Sequence, residues 1–125
     1  LQSNLSFRTA TYLMDKKRSD ESVYMMTDHL VYWLLNEPPI TPCSTHPSNV
    51  VRASLLPFCS SDVAPTPQSE MNKILALKPN FIVKKSGIPW YLRNEEAVWS
   101  VFAHHLQEQY TLVAKQGTRE IYQKN

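Results

Sequence analysis

The chain has 125 residues, a length that fits one domain with a modest hydrophobic core. Hydrophobic residues make up 42% of the chain and charged residues 19%, which is typical of a globular protein and argues against a disordered one. The formal net charge of +2 is low for a nucleic-acid-binding domain, and two glycines leave little material for a Gly-rich phosphate loop. No apolar run reaches the roughly 18 residues that a membrane-spanning helix needs.

The first two predicted elements are helices. Apolar residues recur on one face over 5–17, which predicts the first helix. A second helix is predicted over 21–37, because Asp20 can cap it and Pro38 ends it. Its apolar stripe, from Val23 to Leu35, is wide enough to indicate burial on more than one side. We therefore expect this helix to be central in the fold.

Residues 38–69 are rich in Pro, Ser and Thr and are predicted to form a long connection, in which 49–56 could make a short helix. Thr41 and Thr66 each precede a proline in this segment. Both are candidates for proline-directed phosphorylation, and the added negative charge could regulate docking through local electrostatics.

The carboxyl-terminal half contains the clearest helical pattern. A short helix is predicted over 70–77, and residues 81–83 could form a brief extended segment or part of the packing between helices. The last long helix is predicted over 94–115, where Gly117 can adopt the left-handed conformation that ends helices. Residues 119–124 could resume as a short tail helix.

The predicted fold class is mostly α. We expect a single helical domain over 1–125, with four to five helices and the Pro/Ser/Thr-rich connection over 38–69. Cys43 and Cys59 are the only cysteines, which is too few for a disulfide scaffold in a chain of this length. A reducing intracellular compartment, cytoplasmic or nuclear, is therefore expected.

One group of residues could be interpreted as a zinc site. Cys43, His46 and Cys59 carry ligand types that zinc prefers, but the paired C-x-x-C spacing is missing. A fourth ligand would have to come from His29, Asp62 or elsewhere. We therefore predict no metal ligand.

Two neighbouring pairs, Asp28-His29 and His104-His105, could support acid–base chemistry. Adjacent residues on a helix point about 100° apart, so one histidine of the His104-His105 pair would face the edge of the core and the other the solvent. No Ser or Cys lies in a nucleophile-elbow context. The sequence therefore predicts no catalytic residue and no cofactor.

Three short blocks resemble a plant family, the domain of unknown function 594. The family's first block reads roughly H-I-A-T-D-L, and residues 8–13 stand in its place. The second reads roughly L-S-D-Y-M-L-Y-L-L with Pro after three more residues, and residues 26–38 follow it in register. The last block carries W-x-V and then W-x-E, which residues 99–108 match except for Leu106 in place of the second Trp. The family's C-terminal Gly-Gly-Glu is absent from this chain.

The resembled family usually forms the C-terminal part of larger plant proteins, after a membrane-spanning region. The resemblance implies a helical module of a plant protein, with membrane association possible through a larger relative or a partner. It implies no activity, cofactor or catalytic residue.

The function that we predict from the sequence is that of a non-catalytic protein-interaction or regulatory module, whose partner is another protein of unknown identity. The alternative is a small helical nucleic-acid-binding domain that uses Lys84, Lys85, Arg93 and the basic run near Lys17. A third hypothesis is an enzyme or metal protein built on His29, Cys43, His46 and Cys59.

Overall fold

A mixed four-stranded sheet separates two groups of helices in the computed structural model, which describes residues 2–125. The strands are β1 (Val23–Met25), β2 (Phe81–Lys85), β3 (Tyr110–Gln116) and β4 (Arg119–Lys124), in the order β1-β2-β4-β3. β1 and β2 are parallel, whereas β4 runs antiparallel to both β2 and β3. The fold class is α/β, so the mostly α prediction is wrong.

Five α-helices accompany the sheet within residues 2–125. They are α1 (Gln2–Lys16), α2 (Leu30–Leu35), α3 (Leu56–Cys59), α4 (Pro67–Ala76) and α5 (Glu96–Gln109). Three short 3₁₀ helices lie between them, at Pro42–Ser44, Pro47–Val51 and Trp90–Leu92. No helix in this part of the chain is both long and apolar enough to cross a membrane.

The sheet supports a hydrophobic core on each face, because successive residues of a strand point to opposite sides. Val23 and Met25 of β1 pack with α1 and α2, whereas Tyr24 packs with α4 and α5. In β2, Phe81 joins the first core and Ile82 the second. Both parallel strands are therefore covered on both faces, as parallel strands usually are.

The helix predicted over 21–37 is wrong in its first half. Residues 23–25 form the whole of the buried strand β1, and their unbroken apolar run resembles part of a wide helical stripe. Asp28 then takes a left-handed conformation with φ of 60°, which separates the strand from a helix of only six residues, α2. The apolar stripe of the predicted helix was wide because it combined residues of the strand β1 with residues of the helix α2.

The helix predicted over 94–115 is correct only as far as Gln109, where α5 ends and β3 begins. Gly117 does have a positive φ, 62°, but it lies in the β3–β4 turn, close to Leu5 of α1. The tail helix over 119–124 is also wrong, because these residues form β4. The apolar spacing of α5 continues into β3, which hid the boundary.

Other predictions agree with the structure. The helix over 5–17 corresponds to α1, that over 70–77 to α4, and the extended segment over 81–83 to β2. The short helix over 49–56 is replaced by the 3₁₀ helix Pro47–Val51 and a turn before α3.

The connection over 38–69 is crosslinked internally and also contacts α4. A disulfide joins Cys43 to Cys59, so these cysteines are not the free thiols that we expected. The hydroxyl of Thr41 donates a hydrogen bond to the buried Glu70 carboxylate at 2.7 Å. Disulfides persist in oxidising environments, which weakens the basis for predicting a reducing compartment.

The two candidate phosphorylation sites, Thr41 and Thr66, differ in solvent exposure. Thr41 is 4% exposed, and a phosphate there would face the Glu70 carboxylate, so the folded protein does not offer this hydroxyl to a kinase. Thr66 is exposed, and its hydroxyl caps α4 by accepting a hydrogen bond from the Ser69 amide. Only Thr66 stays a candidate in the folded state.

Candidate ligand-binding pocket

A pocket of about 260 Å³ lies beyond the carboxyl ends of β1 and β2. Its walls come from the segment after β1 (26–29), the segment that begins at the end of β2 (85–93) and the turn over 46–48. In α/β proteins, ligands commonly bind outside the carboxyl ends of parallel strands, where the loops that follow can form a crevice. The position of the pocket makes it the candidate functional site.

The base of the pocket is held by hydrogen bonds between the two loops. The hydroxyl of Tyr91 donates to the carbonyl oxygen of Met26 at 2.6 Å, and the Met26 amide donates to the carbonyl oxygen of Val83 at 2.8 Å. Tyr91 is buried, and this burial raises the pKa of its phenol well above the usual value. The hydroxyl therefore stays protonated and keeps its hydrogen bond at any pH at which the protein is used.

Asp28 lines the pocket, but its charge is already balanced. The Nε atom of Arg119, at the start of β4, lies 3.3 Å from its Oδ2 atom, and the hydroxyl of Ser6 donates to Oδ1 at 2.6 Å. The side chains of Asp28 and Arg119 are only 4% and 7% exposed. This ion pair joins α1, the β1–α2 loop and β4, and it gives Asp28 a structural role.

Two histidines meet at the mouth of the pocket. The ring centres of His29 and His46 are 4.5 Å apart, and the hydroxyl of Ser48 lies 3.3 Å from Nδ1 of His46. Burial, and next the nearby His46, lower the pKa of His29 below its ordinary value of 6.5. Ser48 is 2% exposed and also accepts a hydrogen bond from Arg52, so its hydroxyl is not presented as a nucleophile.

Lys85 and Arg93 give the pocket a positive rim. Lys84 points to the opposite face of the sheet, where it is buried and its Nζ atom lies 3.0 Å from the Glu120 carboxylate. The next residue, Lys85, is therefore exposed on the side of the pocket. Among the described residues that line the pocket, Asp28 is the only acidic one.

The rim also has apolar residues. Trp90 is 66% exposed and Ile88 is 45% exposed, and both line the pocket. The indole of Trp90 meets the ring of Tyr91 edge to face, with ring centres 5.6 Å apart. The pocket thus combines fixed positive charge with an accessible aromatic surface.

The structure brings together only some of the residues that the sequence indicated as candidate functional residues. His29 and His46 meet at the pocket, and so do Lys85 and Arg93. Cys43 and Cys59 are bonded to each other and offer no thiolate to zinc.

The other selected residues lie elsewhere. Asp62 pairs with Lys73 at 2.7 Å, and His104 and His105 lie along a shallow groove between α4 and α5. Within residues 2–125, no group of three or more His, Cys, Asp or Glu is placed to hold a metal ion.

Sequence reasoning missed Trp90, Tyr91 and Ser48. The pattern that could have indicated Trp90 and Tyr91 is a short apolar strand followed by a loop, first at 23–29 and again at 81–91, whereas no signal in the sequence indicates Ser48. Recognising the pattern required identifying 23–25 as a strand.

No family model, curated protein or solved structure matches this chain. The resemblance to the domain of unknown function 594 therefore stays a prediction, as does a plant origin.

The low pKa of His29 predicts a pH-dependent stability. The folded protein binds fewer protons at this site than the unfolded chain, so the unfolding free energy should be greatest above pH 6.5 and should fall as the pH falls through the folded pKa. Urea denaturation between about pH 7.5 and about pH 5.5 measures this fall, above the range in which most carboxylates titrate. His29→Gln should reduce the fall, whereas the control Gln107→Asn, at an exposed and uncharged position of α5, should not. An identical fall in both variants would contradict the prediction.

Proposed function

We propose that the chain is a non-catalytic protein-interaction or regulatory module, and that its binding surface surrounds the pocket at the carboxyl ends of β1 and β2. The observation that carries this proposal is the exposed Trp90 beside Lys85 and Arg93, on loops fixed by the Tyr91–Met26 hydrogen bond. Tryptophan and arginine are enriched among the residues that dominate binding energy at protein interfaces. The positive rim favours a partner that presents acidic side chains.

The chemistry of the site supports binding rather than catalysis. Ser48 is buried, and the Asp28 carboxylate is held by Arg119 and Ser6, so neither is free to act as a nucleophile or a base. The neutral form of His29 is favoured, and it can donate or accept a hydrogen bond. These groups can position a partner without reacting with it.

The nucleic-acid alternative has less support from the charges. Lys84 is buried in an ion pair with Glu120, and Lys17 pairs with Glu37. Of the basic groups assigned to that function, Lys85 and Arg93 are the two that line the pocket. Two charges at one pocket are few for a surface that must track a phosphate backbone.

Site-specific photo-crosslinking tests the proposed function. A photoreactive amino acid in place of Ile88, which lines the same pocket and leaves Trp90 intact, should capture one acidic partner protein in an extract of cells that produce the chain. The same group in place of Val63, which is 96% exposed in the connection, is the control and should not capture it. Lys85→Glu should abolish the adduct, whereas Lys124→Glu, at the other end of the sheet, should leave it. The same adducts from both photoreactive positions would contradict the proposal.

A further inference from the structure

We infer that the pocket beyond β1 and β2 is a binding site for a small organic anion, in which Lys85 and Arg93 bind a phosphate monoester or carboxylate and Trp90 packs against the flat ring that carries it. The inference deepens the proposed function, because such a ligand would occupy the centre of the proposed interaction surface and thereby regulate it.

Two cations of the pocket are not neutralised by an ion pair within the described part of the fold. Among residues 2–125, neither Lys85 nor Arg93 takes part in an ion pair, although both line the same pocket. Lysine and arginine form the strongest hydrogen bonds with carboxylate and phosphate oxygens. An entering anion would therefore find two charged donors that need not first break an internal contact.

The acidic residue in the wall does not cancel this attraction. Asp28 carries the one negative charge among the described lining residues, and Arg119 balances it at 3.3 Å. The imidazoles of His29 and His46 lie on the same wall and can add N–H donors. The described charges and donors of the pocket thus favour a negative group.

The size and apolar surface of the pocket indicate what carries the negative group. A volume of about 260 Å³ is close to the lower end of small-molecule pockets, roughly 300 Å³. Trp90 is two-thirds exposed, and Ile88 and Pro47 add apolar surface. An aromatic or similarly flat ring can stack on the indole while its anionic substituent reaches the basic side chains.

Titration of the isotope-labelled protein with four probes tests the inference by NMR. Phenyl phosphate and benzoate share a ring and differ in the anion, benzyl alcohol keeps the ring without charge, and inorganic phosphate keeps the charge without the ring. We expect at least one ring-bearing anion to shift the Trp90 indole signal and to bind about tenfold or more tightly than benzyl alcohol. Binding of that anion should also weaken as salt is added. Comparison of the two ring-bearing anions identifies the preferred head group.

Equal binding of benzyl alcohol would overturn the charge argument, and equal binding of inorganic phosphate would overturn the role of the ring. Failure of both ring-bearing anions to bind would overturn the inference as a whole.

Three variants locate the site. Lys85→Gln and Arg93→Gln should each weaken binding of the preferred anion by about tenfold, because each removes a charged donor. Lys124→Gln makes the same change in charge at the other end of β4 and should leave binding unchanged. Lys85, Arg93 and Lys124 are all exposed, so the variants should keep the native amide spectrum. Equal weakening in all three would contradict the assignment.

The proposed function and the anion-binding inference can be contradicted independently of each other. Capture of a partner at position 88 without anion binding would remove the inference and leave the proposed function. Anion binding without any captured partner would leave a small-molecule site and remove the protein-interaction proposal.

Discussion

Loss of the Cys43–Cys59 bond is expected to lower the free energy of unfolding by about 3 kcal/mol, the loss of loop-closure entropy for a loop of about 15 residues. The two cysteines are separated by 16 positions and join the 3₁₀ helix Pro42–Ser44 to α3. The crosslink closes a loop that contains the 3₁₀ helix Pro47–Val51, and in the chain-entropy account it stabilises the fold mainly by restricting the unfolded chain. Urea denaturation of the protein and of the double variant Cys43→Ser, Cys59→Ser measures the difference.

The matched control is the reducing agent itself. It should destabilise the native sequence by the same amount as the double substitution, and it should have no effect on the double variant. Without reductant, a thiol-alkylating reagent should leave both cysteines of the folded protein unmodified. Alkylation of Cys43 and Cys59 in freshly isolated protein would contradict the prediction and would restore the reducing compartment that cysteine usage first indicated.

The second large effect is expected at the ion pair between Asp28 and Arg119. Arg119→Met should lower the unfolding free energy by about 3–5 kcal/mol, because it leaves a carboxylate that is 4% exposed without its counter-charge. The hydrogen bond from Ser6 remains, but a neutral hydroxyl does not replace a guanidinium. Thermal or urea denaturation monitored by circular dichroism measures the loss.

An exposed ion pair of the same types provides the control. The side chains of Arg18 and Asp20 are 76% and 69% exposed, and Arg18→Met should leave stability unchanged. Adding Asp28→Asn to Arg119→Met should recover part of the loss, because the remaining buried group is then neutral. A loss at position 119 no larger than that at position 18 would show that the buried pair does not stabilise the fold.

The sequence correctly predicted those elements whose hydrophobic periodicity fits only one type of secondary structure. The helices α1 and α4 are amphipathic, and both were located to within about three residues at each end. β1 was missed because both of its faces are buried, so its residues lack the alternation of polar and apolar side chains that marks a strand. β3 was missed because Tyr110 and Val113 continue the apolar spacing of α5. In both places, tertiary packing decided between two structures that the local pattern allowed equally.

The candidate site was only partly predictable. Lys85, Arg93, His29 and His46 were selected from the sequence, but for different hypotheses, and nothing in the linear order indicated that they meet. Parallel pairing of β1 with β2 places the loops after the two strands beside each other. Cysteine count could not reveal the disulfide either, since pairing depends on the path of the connection between 43 and 59.

The strand order has a consequence for how the protein comes to be folded. β2 lies between β1, which precedes it by a long stretch of chain, and β4, which holds residues 119–124. Neither side of the central strand can be paired by a neighbouring hairpin, so sheet formation depends on contacts between distant parts of the sequence, which form slowly. On the ribosome, β1 and β2 would be synthesised well before β4. In the interval, the edge of β2 at Phe81, Ile82 and Val83 would lack its partner strand. We expect such a chain to complete its fold only after residues 119–124 have emerged, and to be most prone to aggregation just before then.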